Sequence, residues 1–255
     1  GGLAGAWFAK SGMQGMSATV LILLATMAGG AAWAWIAGWL QVKRGVEAVI
    51  STILLNFIAL EVLEWAIHGP LQEANKSLPQ TDSLGRATML YRPDRQMDLN
   101  AGSLIAVMAA VVVFVYLYRT QAGLKLRVTG DNPDAARANR IDAGKAKIQA
   151  FLVSGALCGL AGGVEYAGSA GLIGKGFSQN WGFLGIPVAL LSGLHPLVAI
   201  VSALYFGALM AGSENLGRFT SGGSTLVFVV QAAAVLAFVA VGQIRLPARR
   251  SPSIQ

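Results

Sequence analysis

Glu61, Glu64 and His68 stand three and four residues apart, a spacing that sets them on one face of a helix and could hold a divalent cation. They also close a long apolar run, where charged groups mark the point at which a helix leaves hydrocarbon, and this is the plainer reading. No metal site is assigned. The sequence has no Gly-x-x-x-x-Gly-Lys-Ser/Thr phosphate loop, and its glycines sit in apolar runs without a strand-loop-helix context. Hydrolysis of ATP by this chain is therefore not expected, and no catalytic residue or cofactor is nominated. Asn56 lies in the middle of an apolar run, where an amide needs a partner in another helix or contact with water. Glu165 follows Gly162-Gly163-Val164 near the end of another such run and suits either a cavity wall or interfacial water. Phe183 and Trp181 could stack on a ring-shaped solute or belong to an interfacial aromatic belt. Asn56, Glu165 and Phe183 are the candidates for a polar path. His195, beside Pro196, reads as a chain-break residue.

The elements that carry these residues are set by composition. Apolar residues make up 55% of the 255 and charged ones 12%, half the ~25% usual for a soluble domain. The 32 glycines fit close helix packing in a membrane. The net charge of +7 is gathered in short loops beside apolar spans, which argues for the positive-inside pattern and against nucleic-acid binding. Cys158, the sole cysteine, lies within an apolar run and implies no disulfide framework. The expected fold is all-α and polytopic, a single transmembrane domain over residues 1–255.

Apolar runs place spans at residues 18–40, 46–67, 101–118 and 148–164, with a last one at 224–244. Trp33, Trp35 and Trp39 followed by Lys43-Arg44 mark an aromatic anchor and then the cytoplasm. Residues 68–100 form a polar loop of balanced charge, placed outside, either functional or loosely ordered. Residues 177–213 carry His195 but no Asp, Glu, Lys or Arg, and would measure about 55 Å as one helix, too long for a single crossing. The break at Ser192-Gly193-Leu194-His195-Pro196 and the parity of the other spans point to a re-entrant hairpin bordering the path.

The loop at 119–147 holds seven Lys/Arg against three Asp and lies in water on the cytoplasmic side. Within it a turn and a short helix are expected. Asp131 or Asn132 can cap the helix, Pro133 suits its first position, and Ala135-Ala136 is a small, helix-prone pair ahead of Arg137. A short helix with a flat alanine face, held between spans, is a docking knob for a cytoplasmic protein.

Three blocks, residues 120–127 (TQAGLKLR), 130–136 (GDNPDAA) and 154–163 (SGALCGLAGG), resemble the permease subunits of bacterial ABC importers, in the branch that serves nucleosides and simple sugars. Residues 51–60, with Asn56 retained, 182–191 and 205–209 continue the likeness, which covers most of residues 18–243. The chain departs from the family where Ala138-Asn139-Arg140 replaces an aromatic and Ala-Gly, and where Gly45-Val46-Glu47-Ala48-Val49-Ile50 replaces Asn-Glu-Val-Ile. Pro187 stands where Ala is usual and Ser192 where Gly is common.

The resemblance implies a multi-pass protein of the bacterial inner membrane, longer than this chain at its N-terminus. It also implies a coupling helix carrying Asn132, Pro133, Ala135, Ala136 and Arg137 that docks on a separate ATP-binding subunit, which uses the ATP. A second permease subunit, an extracytoplasmic substrate-binding protein and membrane lipid complete the expected partners. The binding protein would deliver solute near residues 68–100 and 214–223. The alternative is an ion-coupled secondary transporter of a small polar solute, which needs intramembrane ionisable groups. Only Glu47, Glu61, Glu64 and Glu165 are available, all near span ends. A passive channel is the third possibility.

Overall fold

The computed structural model describes residues 1–10, 15–76, 78–92, 100–178, 181–219 and 232. Among them every regular element is helical, apart from one antiparallel bridge between Gln80 and Gly174. Contacts group the chain into two units, residues 1–179 and 180–255. The first holds α1 (Gly2–Ala9), α2 (Met16–Arg44), α3 (Ala48–His68), α4 (Ala101–Arg119), α5 (Gln121–Asp131), α6 (Pro133–Ala138) and α7 (Ala143–Glu165). The second holds α8 (Trp181–Leu191) and α9 (Pro196–Phe219). Four segments are long and apolar enough to cross a membrane: Met16–Arg44, Ala48–His68, Ala101–Arg119 and Ala143–Ala170. They coincide with the four spans expected within residues 1–179. The expected span at 224–244 lies outside the described residues.

The frame of the first unit is the antiparallel pair α2 and α7. Along the seam Gly30 faces Gly155 and Gly159, Gly38 faces Phe151, and Gly144 faces Val42. The approach is that of backbone on backbone. A Cβ added to Gly159 would fall on the Thr26 carbonyl, and one added to Gly30 would lie 2.8 Å from the Gly159 Cα. Between helices in lipid there is no hydrophobic driving force, so close van der Waals contact of this kind supplies the association.

Because the pair is antiparallel, Lys43 and Arg44 at the end of α2 share one end of the unit with Gly144 and the 119–147 loop. Gly45, at φ 68°, ends α2 in the left-handed region, and α3 begins three residues later. α4 runs parallel to α2. Its first turn meets the far end of α7, where Gly102 faces Val164, and its last turn meets the near end, where Gln149 Nε2 donates to Tyr116 Oη at 2.8 Å. The four spans thus alternate in direction, and one end gathers Lys43, Arg44 and the seven Lys/Arg of residues 119–147.

The opposite end is closed by a strap. Residues 78–92 run across the end of α7, which continues as a π-helical turn over Tyr166–Ala170. The backbone N–H groups of Thr81, Leu84 and Leu90 donate to the carbonyls of Ile173, Gly171 and Ala167 at 2.8–2.9 Å. Thr19 Oγ1 donates to the Thr88 carbonyl at 2.7 Å and ties the strap to α2. Beneath it lies the best-packed core, in which Ile22, Ile67, Tyr166 and Ile173 are fully buried. Among its described residues the strap is held by these backbone and side-chain hydrogen bonds.

At the basic end the sequence suggested one short helix, but the structure has two. Thr120 caps α5, its Oγ1 accepting from Gly123 N at 3.1 Å, and Gly123 packs on the Tyr116–Leu117 backbone. Arg127 Nε donates to the Leu117 carbonyl at 3.1 Å, and its guanidinium lies 4.7 Å from the Tyr118 ring centroid. α6 follows as expected. Asn132 Oδ1 accepts from Asp134 N at 3.0 Å and Ala135 N at 3.1 Å, with Pro133 in the first turn. Such a cap is worth about 1 kcal/mol. α6 ends with Arg140 at φ 57°, while Ile141 N donates to the Ala136 carbonyl at 2.9 Å.

In the second unit the break falls where the sequence placed it. Leu194 N donates to the Ala189 carbonyl at 3.1 Å and Gly193 N to the Leu190 carbonyl at 3.0 Å, with φ 60° and 59° at Leu194 and Gly193. α8, with 11 residues, measures about 16 Å and is too short to cross. The outer loop expected over residues 214–223 is corrected in part, because α9 continues to Phe219. The first charge after an apolar run marks where hydrocarbon stops, not where the helix stops.

Three stability outcomes follow. Gly159→Val should destabilise the protein by about 1–3 kcal/mol by overpacking the α2–α7 seam. Gly130→Ala, where an added Cβ meets nothing within 4 Å, should leave the thermal midpoint equal or higher. Arg140→Gly should gain about 1 kcal/mol, because a left-handed backbone costs an L-residue that much; slower hydrogen exchange at the Ile141 amide would register it.

Candidate functional site

Two features of the first unit can serve transport, a cavity between its helices and the knob at the basic end. The cavity has a volume of about 630 Å³ and lies among α1, α2, α3 and α7. Trp33 comes from α2, Thr52 and Asn56 from α3, and Phe151, Ser154 and Cys158 from α7. Glycines of the α2–α7 seam form part of the wall, because a helix pair without side chains at its contact leaves the flanking groove open. No Asp, Glu, Lys, Arg or His side chain is among the residues that line it. The wall therefore suits an uncharged solute, with aromatic faces for a ring and a few hydroxyl and amide groups for hydrogen bonds.

Asn56 is exposed, and its amide has no hydrogen-bond partner among the described residues. Thr52, one turn earlier on the same face, donates to the Ala48 carbonyl at 2.8 Å and keeps an acceptor free. Glu165 is not part of this wall. It stands half-buried at the end of α7, near the strap, where Arg92 Nε donates to the Gly168 carbonyl at 3.1 Å. Phe183 is 58% exposed on α8 in the second unit. The structure thus brings Asn56 into a cavity and leaves Glu165 outside it, so the three sequence candidates do not form one site within the first unit.

Sequence reasoning missed Trp33, Thr52, Phe151, Ser154 and Cys158. The signal was present in the four-residue spacings Thr52–Asn56 and Ser154–Cys158, each of which sets two polar groups on one face of an apolar helix. The three residues with metal-ligand spacing diverge. Glu64 pairs with Lys175 at 3.2 Å, and His68 Nδ1 lies 2.8 Å from the Glu64 carbonyl. Glu61 faces outward among Phe57, Ile58, Val62 and Trp65. No cluster of three ligating side chains occurs among the described residues.

The knob divides its alanines. Ala136 is fully buried and anchors α6 onto the chain, whereas Ala135 and Ala138 are exposed with Asn132, Pro133 and Arg137. Ala136 therefore seats α6 on the chain, and the side that carries Ala135 is the exposed one. Arg137 bonds Asp134 at 3.2 Å on the surface, a contact of little energetic weight. Asp142 caps α7, its Oδ1 accepting from Lys145 N at 3.1 Å. That backbone bond, followed in effect by the Lys145 charge, holds the carboxyl below its usual range. The cap is therefore complete above the unfolded carboxylate value of about 3.9 and is lost only as pH falls through the lower folded value.

Comparison with known proteins bears on what this arrangement serves. The family described as "Branched-chain amino acid transport system / permease component" matches residues 1–241. The chain is 31% identical over 247 residues to the glucose ABC transporter permease protein TsgB13 of Haloferax volcanii, covering 92% of this chain and 65% of that protein. It is 31% identical over 260 residues to the nucleoside ABC transporter permease protein NupB of Lactococcus lactis, covering 94% and 69%. It is also 31% identical over 224 residues to the guanosine ABC transporter permease protein NupP of Bacillus subtilis, covering 86% and 64%. The chain thus spans about two thirds of the length of these relatives. No solved structure matches it significantly. With four membrane-length helices in alternating directions, a basic end and a family match over residues 1–241, the chain belongs to the permease components of ABC-type transport systems.

Proposed function

We propose that this chain forms part of the membrane path of an ATP-driven importer for a nucleoside or simple sugar. The observation that carries the reading is the knob. A six-residue helix, capped at both ends and seated on Ala136, displays the Ala135 face at the end that bears Lys43, Arg44 and the 119–147 cations. A separate ATP-binding subunit would grip that face and use the ATP itself. Because α5 and α6 follow directly on α4 and lead into α7, a push on the knob reaches both helices and, through the glycine seam, α2. The cavity between α2, α3 and α7 would open to alternate sides in response.

The uncharged wall supports a neutral, hydroxyl-bearing solute over a zwitterion, which would leave both its charges without partners. Asn56 and Thr52 are the groups that would meet hydroxyls, with Trp33 and Phe151 flanking a ring. An extracytoplasmic binding protein would deliver solute at the strap end, and a second permease would complete the path. In the second unit, α8 would form the short arm of a re-entrant hairpin that borders the path, with Phe183 on it, and Glu165 would lie at the outer mouth.

Uptake in proteoliposomes containing the permease pair, the ATPase and the binding protein tests the reading. It expects uptake with ATP and none with an ion gradient alone; the reverse would favour a secondary transporter. Ala135→Trp should abolish co-purification of the ATPase without lowering the thermal midpoint of the permease. Ala136→Trp should lower that midpoint as well, because the side chain has no room. Cys158, the one thiol and exposed beside the cavity, offers a further check. A bulky maleimide should reduce uptake several-fold, and transported solute should slow the labelling.

A further inference from the structure

α4 and α5 are joined by a single residue. Thr120, at φ −112° and ψ 153°, is extended, with helix on either side of it. A joint of one residue can swivel about its two backbone dihedrals. Two contacts restrain it close to the pivot. Thr120 Oγ1 donates to the Tyr116 carbonyl at 2.6 Å while accepting from Gly123 N, and Gly123 rests on the Tyr116–Leu117 backbone.

Arg127 reaches the same turn of α4 from further out. It stands seven residues beyond the joint, about 10 Å along α5. Helical side chains lean toward the N-terminus of their own helix, so its stem runs back toward α4. There Nε donates to the Leu117 carbonyl at 3.1 Å, and the guanidinium lies 4.7 Å from the Tyr118 ring centroid. Leu117 belongs to the last turn of α4, where carbonyls lack an intrahelical partner and a cation meets the negative end of the helix dipole. The side chain thus spans the angle between the two helices as a diagonal brace. A tie fixed that far from a pivot resists swing more than one of equal strength beside it. What it steadies is the knob, because Asn132 both ends α5 and caps α6.

We propose that Arg127 is a positioning residue of the transport cycle: its bond to Leu117 and its contact with Tyr118 fix the angle between α4 and α5, so that displacement of the knob turns α4 instead of flexing Thr120. The proposal rests on the ATP-driven reading above and assigns to it the residue that stiffens the joint.

The ratio of solute taken up to ATP hydrolysed, in proteoliposomes holding the complete transporter, tests it. Arg127→Gln should lower that ratio about threefold or more, with the ATPase co-purified in its usual amount. Arg127→Lys keeps a cation that can reach the carbonyl and should retain at least half of the native ratio. Lys125 is exposed on the same helix and has no bond among the described residues, so Lys125→Gln removes an equal charge and should leave the ratio unchanged. Hydrogen exchange over residues 121–128 of the complex should be faster in Arg127→Gln. An unchanged ratio in Arg127→Gln, an equal fall in Lys125→Gln, or a fall in uptake matched by loss of the co-purified ATPase would overturn the proposal. Failure of the underlying reading is distinguishable: the unaltered transporter would then show no ATP-dependent uptake and the proposal would fall with it, whereas the exchange difference over residues 121–128 would persist.

Discussion

Direct contact of backbone with backbone between α2 and α7 governs the rest of the first unit. Where Gly30, Gly155 and Gly159 meet, the two helices have no side chains to hold them apart, and their axes come as close as main chains allow. Three consequences follow. The antiparallel register fixes which loops share an end, so the basic residues after α2 and those before α7 gather at one end. The groove left beside the seam becomes part of the cavity wall. The two helices also form one closely packed body, to which the loop before α7 is joined directly.

The two ends of this body are built differently. At the strap end the backbone of residues 81–90 bonds to the π-turn and the residues after it, over a core of Ile22, Ile67, Tyr166 and Ile173. At the basic end the knob is small, capped by its own side chains and largely exposed. One end is thus tied by long-range backbone bonds and a buried core, and the other carries a short, exposed helix. Arg140, in a left-handed conformation at the end of α6, shows that this helix carries some strain.

Much of this was legible in the sequence, because hydrocarbon imposes a simple rule: apolar runs of sufficient length, with charge confined near their ends, become spans. The four spans, the basic end, the break at Ser192–Pro196 and the Asn132–Pro133 helix start all follow from that rule and from capping chemistry. α5 was not legible. Lys125 and Arg127 interrupt its apolar pattern, and the cue for its start was the Thr120–Gly123 pair. The extent of α9 was misjudged because charge at Glu214 was read as the end of a helix. The cavity was only half visible. Asn56 stood out as an amide in an apolar run, but the groove that receives it depends on glycine contacts between helices more than a hundred residues apart in sequence, which no local pattern reveals.

The account depends most on where the knob lies when the protein is in its membrane. With Cys158 replaced by Ala and a single thiol introduced by Asn139→Cys at the exposed end of α6, an impermeant maleimide can be applied to cells or to inside-out vesicles. Labelling in inside-out vesicles and none in intact cells is the predicted result. Labelling from outside intact cells would contradict the orientation, and with it the claim that a cytoplasmic motor drives this chain through the helix at 133–138.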